Sequence, residues 1–107
     1  MNYPACNVNH NAGEWTVIHI PGEQQFCIVL PDEDKCVLLY ERTGDVVDMW
    51  HTEVPLNWRG QGLGGDLMKG AMEWVMQRKY KAKLSCTFLQ KFIRDNPNPA
   101  WEKVVVT

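Results

Sequence analysis

The segment from Val54 to Gly70, VPLNWRGQGLGGDLMKG, sets the tightest limit on how this chain folds. It places five glycines and Arg59 between an extended stretch and a helix-like repeat. From Gly62 to about Lys79, Leu63, Leu67, Ala71, Trp74 and Val75 recur at helical spacing, with Asp66, Lys69, Glu73 and Gln77 on the other side. Met68, Met72 and Met76 form a second row four apart, which reads as a broadened core face. The run VVDMWHTEVP before the loop and the run LSC after the helix complete a strand, helix and strand from Val46 to Cys86. Such a unit is expected to join parallel strands by a right-handed crossover. Ligands of such sheets collect beyond the carboxyl ends of the strands, here Val54-Pro55 and Cys86.

Ahead of that unit, EWTVIHIPG and QQFCIVLP are β-rich runs that stop at Pro21-Gly22 and Pro31, and KCVLLYER is a third. Thr43-Gly44-Asp45 supplies a tight reversal into the next run, so these pieces predict an antiparallel meander. After LSC, TFLQKFIRDNP predicts a second helix. Thr87 and Gln90 have capping-box spacing, Phe88, Leu89, Phe92 and Ile93 make one apolar face, and Asn96-Pro97 ends it. The tail AWEKVVVT reads as a final edge strand or as packed coil. The fold class is therefore α+β, an α/β sandwich. At 107 residues one domain, 1–107, is expected, with 1–14 as a flexible lead-in.

With 45% hydrophobic and 22% charged residues the chain is not built to stay disordered. Eleven basic against thirteen acidic side chains leave a formal charge of -2, so no general affinity for nucleic acid is expected. Neither a secretory leader nor a run long enough to span a membrane is present, and the expected compartment is intracellular, by default cytoplasmic. Cys6, Cys27, Cys36 and Cys86 lack any C-x-x-C pairing, and with His10, His19 and His51 they give no zinc spacing. Four free thiols and no metal are expected.

An anion, if held, must be gripped locally. A helix N-terminus presents unpaired N–H groups and about half a unit of positive charge. Glycines let phosphate oxygens approach the backbone, and Arg59 adds a cation. Glycines that only turn the loop and pack the helix are the structural alternative. Gly60 to Gly65 has the glycine spacing of a Walker loop, but Asp66 and Leu67 stand where lysine and a hydroxyl residue are needed. Gly60, Gly62 and Gly65 also fit a dinucleotide fingerprint, but no acidic residue ends the strand LSC.

A third pattern, Arg/Gln-x-x-Gly-x-Gly/Ala, is met by Arg59, Gly62 and Gly64 in RGQGLG. It resembles the pyrophosphate loop of the GNAT superfamily of N-acetyltransferases. HTEVPLNWRGQGLGGDLMKGAMEWV followed by LSCTFLQKFIRDNPNP is similar to the minimal single-domain branch of that superfamily, over about Phe26 to Trp101. The resemblance implies a GNAT-like meander, a β-α-β crossover with splayed parallel strands and a short C-terminal helix. It also implies an acetyl-coenzyme A site, with the pyrophosphate on the amides of Arg59, Gly60, Gln61, Gly62, Leu63 and Gly64. The pantetheine arm would lie along the backbone near Val54. Gly64-Gly65 departs from relatives that carry a small non-glycine residue there.

The reaction so implied moves an acetyl group from acetyl-coenzyme A to a primary amine, directly or through Cys86. A thiol at a helix start is drawn toward the thiolate, and the cysteine of LSC matches the nucleophile proposed in the minimal branch. The alternative for Cys86 is a small buried strand residue beside the cofactor. His51 and Glu53, two apart on a strand, share a face from which either draws a proton from the amine. Structural roles are expected for Cys6, Cys27, Cys36 and for the tryptophans, and a hydrogen-bonded structural role suits His51 as well. Relative to larger GNAT proteins the chain lacks the N-terminal helices that wall the acceptor site. An open cleft follows, with the amine of a protein as acceptor or a partner completing the pocket. A non-catalytic coenzyme A-binding module or regulatory subunit is the rival function.

Overall fold

The computed structural model describes residues 6–8 and 15–106, the first three by backbone alone. Among the described residues seven strands lie in one sheet in chain order: β1 Cys6–Val8, β2 Val17–Ile20, β3 Gln25–Val29, β4 Lys35–Thr43, β5 Val46–Glu53, β6 Lys81–Leu84 and β7 Val105–Val106. β2 to β5 form the expected antiparallel meander, and β1 extends it by one antiparallel strand. Gly44, at φ 63°, takes the left-handed turn position that lets Thr43 pair with Val46. β6 then pairs parallel to β5, and β7 parallel to β6.

Two strands escape the sequence reading in part. Within the polar lead-in, Cys6–Val8 pairs with β2 as an edge strand, and the remainder of 1–14 lies outside the described residues. The tail combines a one-turn helix α3, Pro99–Glu102, capped by the Asn98 side chain, with the short β7.

Helix α1, Leu63–Gln77, crosses the sheet from β2 to β6 and buries Leu67, Met68, Ala71, Met72 and Val75 completely. Each of the larger of these side chains contributes roughly 1.5–3 kcal/mol by leaving water. The methionine row is core, as its spacing predicts, with Met76 packed at the margin. Asp66 is a correction. Its place in the polar set predicts a solvent-facing side chain, but it is buried in the first turn of α1, where the helix dipole favours a carboxylate.

The C-terminus of α1 is a Schellman turn: Tyr80 N–H donates to Val75 at 2.9 Å and Lys79 N–H to Met76 at 3.2 Å. Lys79 occupies the left-handed position at φ 59°, where glycine is usual. Helix α2, Thr87–Asp95, starts one residue earlier than capping-box spacing implies. Cys86 is its N-cap, Thr87 makes no side-chain cap, and Gln90 instead donates its amide to the Leu84 carbonyl at 2.8 Å. The Gln90 side chain thus ties α2 to the end of β6 and not to its own first turn.

Candidate functional site

β5 and β6 stay paired from Val46↔Lys81 to Met49↔Leu84 and then part. Ser85 and Cys86 N–H both donate to the Met49 carbonyl, at 3.1 and 3.0 Å, which closes the ladder at that residue. On the other flank of β5, Leu39 opposes His51 while Tyr40 opposes Met49, so Trp50 is an extra residue in a bulge. The bulge bends β5 where β6 leaves it. The last residues of β5 keep β4 as a partner and lose β6, which opens a cleft between the strands.

The chain then runs through a 3-10 turn, Leu56–Trp58, to Arg59 and into α1. Trp58 is fixed at both ends of its ring system. Its indole N–H donates to Asp32 at 3.0 Å, and its ring meets Trp15 edge to face. That hydrogen bond holds the Asp32 carboxyl below the usual carboxylate range. Arg59 turns back, its Nε donating to the Val54 carbonyl at 2.9 Å, so the loop is clasped at its base. Gly60 at φ 84° and Gly62 at φ 80° adopt left-handed conformations that a side chain resists.

Gly62 is the N-cap of α1 and offers no side chain. The first helical bond is Asp66 N–H to the Gly62 carbonyl at 3.0 Å. The N–H groups of Leu63, Gly64 and Gly65 therefore start the helix without a side-chain cap. They border a cavity of about 650 Å3. Its walls are the end of β5, the loop, the first turn of α1, and Phe88 and Phe92 of α2.

The structure brings Glu53, Val54, Arg59, Gly60, Gly62, Leu63 and Gly64 together around this one cavity. Gln61 is exposed and is not among the walls, and the Arg59 N–H is already turned toward Leu56 at 3.4 Å. Cys86 is buried and stands one layer behind: its Sγ lies 3.4 Å from Oγ1 of Thr52, and Thr52 lines the cavity. His51 and Glu53 do share a face, with Nε2 and Oε2 3.8 Å apart and both side chains open to solvent. The other described thiols sit in the core, where burial pushes Cys27 up and Cys36 up to about 11, keeping both protonated.

Sequence reasoning missed Thr52, Trp58, Gly65, Phe88 and Phe92 as wall residues. Phe88 and Phe92 are spaced i, i+4 directly after Cys86, which was legible as a helix face but not as a lid over glycines. A Cβ on Gly64 would stand 2.7 Å from the Phe88 ring, and one on Gly65 2.5 Å from the Phe92 ring. The glycine pair thus serves close packing of α1 on α2. Gly60 and Gly62, with open space around them, serve backbone conformation.

The GCN5-related N-acetyltransferase family matches residues 25–104, which contain every element of this cavity. This chain belongs to that family. Among relatives, zebrafish (Danio rerio) Protein NATD1 is 44% identical over 87 residues, covering 79% of this chain and 79% of the zebrafish protein. The mouse (Mus musculus) Protein NATD1 is 40% identical over 91 residues, 83% of each chain. The human (Homo sapiens) Protein NATD1 is 40% identical over 87 residues, 79% of this chain and 77% of that protein. The mixed sheet that opens between β5 and β6 is consistent with the GNAT fold, and the chain carries a GCN5-related acetyltransferase domain. Among the described residues no helix is long and apolar enough to cross a membrane.

Proposed function

We propose that the chain is an acetyltransferase that uses acetyl-coenzyme A to acetylate a primary amine. The observation that carries this reading is the start of α1, where uncapped N–H groups behind two left-handed glycines border a 650 Å3 cavity. That donor set suits a diphosphate, which needs several N–H groups on one side and close backbone approach. Gly60, Gly62, Leu63 and Gly64 hold it by backbone, with Gln61 between them in the chain, and Arg59 contributes its guanidinium. Val54 and the end of β5, relieved of β6, take the extended arm. Phe88, Phe92 and Trp58 supply the apolar walls.

Acetyl-coenzyme A supplies an activated thioester carbonyl. The acceptor amine attacks that carbon while Glu53, directly or through His51 or a water, takes its proton, and the carbon–sulfur bond breaks to release coenzyme A as a thiolate that then takes up a proton. Both side chains stand on the exposed side of the cavity, so the acceptor enters from solvent. An amine carried on a protein fits that approach.

A second reading routes the acetyl group through Cys86. It is favoured by the position of Cys86 as N-cap of α2, beside the point where the strands part and within 3.4 Å of a wall residue. The Sγ–acetyl bond forms as the bond to the coenzyme sulfur breaks, and the amine then displaces Sγ. Labelled acetyl-coenzyme A, followed by denaturation, separates the two routes: label retained on Cys86 supports the second, and undiminished turnover in Cys86→Ala rejects it.

Calorimetric titration tests the parent reading. Acetyl-coenzyme A and coenzyme A bind, NAD does not, and Arg59→Glu weakens binding at least about tenfold, the loss of one charge-assisted contact. Tight NAD binding, or no coenzyme A binding, overturns it. Binding without acetyl transfer to any amine offered identifies a non-catalytic coenzyme A module.

A further inference from the structure

We propose that a second cavity, at the opposite end of α1, binds a small anion attached to a flat, aromatic body. This cavity measures about 350 Å3 and shares no wall residue with the first. His19, Tyr40, Arg42, Trp74, Arg78 and Tyr80 line it, and among the described residues no aspartate or glutamate does.

The guanidinium groups carry the charge argument. Among the described residues neither Arg42 nor Arg78 makes an ion pair. Arg42 is nonetheless held in place: it lies over the Tyr80 ring at 5.0 Å, donates Nη1–H to the Tyr80 hydroxyl, and its backbone N–H is fixed by the Gln24 side chain at 2.9 Å. A positioned guanidinium loses little freedom when it grips a carboxylate or phosphate, and it grips either with two parallel bonds. Arg42, so positioned, and Arg78 beside the same concavity, with no carboxylate among the described wall residues, make a receptor for an anion.

The floor carries the second argument. His19 is completely buried, stacked on Phe26 at 4.1 Å and edge-on to Trp74 at 4.5 Å. Its Nε2 lies 2.7 Å from the Tyr40 hydroxyl, while its Nδ1 is buried without a hydrogen-bond partner. An orphaned buried polar atom is destabilising, a cost that a phenyl ring at that position avoids while keeping the stack. Packing alone does not explain an imidazole there. Its pairing with Tyr40 sets a polar floor under the two arginines. Trp74 and Tyr80, 5.3 Å apart and edge to face, form an aromatic wall. The volume is at the small end for organic ligands and suits one ring with one anionic group.

The test is a nuclear magnetic resonance titration of the whole chain with phenyl phosphate, benzoate, inorganic phosphate and benzyl alcohol. Phenyl phosphate and benzoate are expected to shift the Trp74 indole and the Arg78 and Tyr80 amides. Inorganic phosphate should do so at least about threefold more weakly, and benzyl alcohol not at all. Arg42→Gln and Arg78→Gln, both exposed and outside the core, should each weaken phenyl phosphate binding about tenfold while the Leu63–Gly65 amides keep their positions. If phenyl phosphate beats benzoate, the anion is a phosphate ester; the reverse makes it a carboxylate. Shifts confined to the Leu63–Gly65 amides, no shift at Trp74 at tens of millimolar, or unchanged binding in both variants overturns the proposal. Since each cavity has its own resonances, failure here leaves the acetyl-coenzyme A reading untouched.

Discussion

Gly65 lies under the ring of Phe92 so closely that a Cβ there would stand 2.5 Å from Cε2 of the ring. Helix propensity alone makes Gly→Ala in a helix stabilising by roughly 1 kcal/mol. Here the contact reverses the sign, because the half-buried Phe92 must move away from the first turn of α1. Gly65→Ala is expected to destabilise by about 1–2 kcal/mol in urea denaturation. Phe92→Leu should recover much of that loss in the double variant.

A Cβ on Gly64 would stand 2.7 Å from the Phe88 ring, but Phe88 is 45% exposed and its ring can swing into solvent. Gly64→Ala should therefore stay within about 1 kcal/mol of the parent stability. Any change in coenzyme A affinity in this variant reports on the cavity wall and not on folding.

Gly62 takes φ 80° in open space, so a substitution there is limited by backbone strain and not by contact. Gly62→Val forces a β-branched residue into the left-handed region, at a cost of roughly 2 kcal/mol, or twists the loop away from it. Calorimetry should show acetyl-coenzyme A binding weakened at least about tenfold, while Arg42→Gln leaves it unchanged.

Lys79 holds the left-handed C-terminal position of α1 at φ 59°. Glycine adopts that conformation without a Cβ clash. Lys79→Gly is expected to raise stability by about 1 kcal/mol, read as a higher urea midpoint with an unchanged slope.

Burial, followed by the nearby Arg78 charge, lowers the pKa of His19 to about 4. In the unfolded chain the ring titrates near 6.5, so between those values the unfolded state binds the extra proton and stability rises with pH. The full contribution is present above about pH 6.5 and is lost as pH falls toward 4, up to roughly 3 kcal/mol. Denaturation midpoints at pH 7 and pH 4.5 should differ by more in the parent than in His19→Phe. Equal differences would sink the assignment.

Much of the fold is legible because period reports burial. The meander follows from alternating runs broken at Pro21-Gly22, Pro31 and Gly44, and α1 follows from apolar residues at helical spacing. The left-handed backbone ahead of α1 is legible too, since Gly60 and Gly62 stand where φ is positive. Asp66 is misread as a surface residue because helical phase says which stripe a residue occupies, not how many of its sides are covered. Thr87 and Gln90 have capping spacing, but Gln90 bonds to Leu84 of the preceding strand, a partner that local sequence cannot reveal.

By itself the sequence determined the order of elements from β2 to α2, the loop between β5 and α1, and the family, because each rests on local backbone preference or on a contiguous motif. Tertiary structure alone decided that β6 leaves β5 at Met49, that Thr52 stands between Cys86 and the cavity, and that Phe88 and Phe92 roof the glycine pair. It also decided that His19, Arg42 and Arg78 meet at one place. Those relationships join residues far apart in the chain, and their distances are fixed only when sheet register and helix docking are set together.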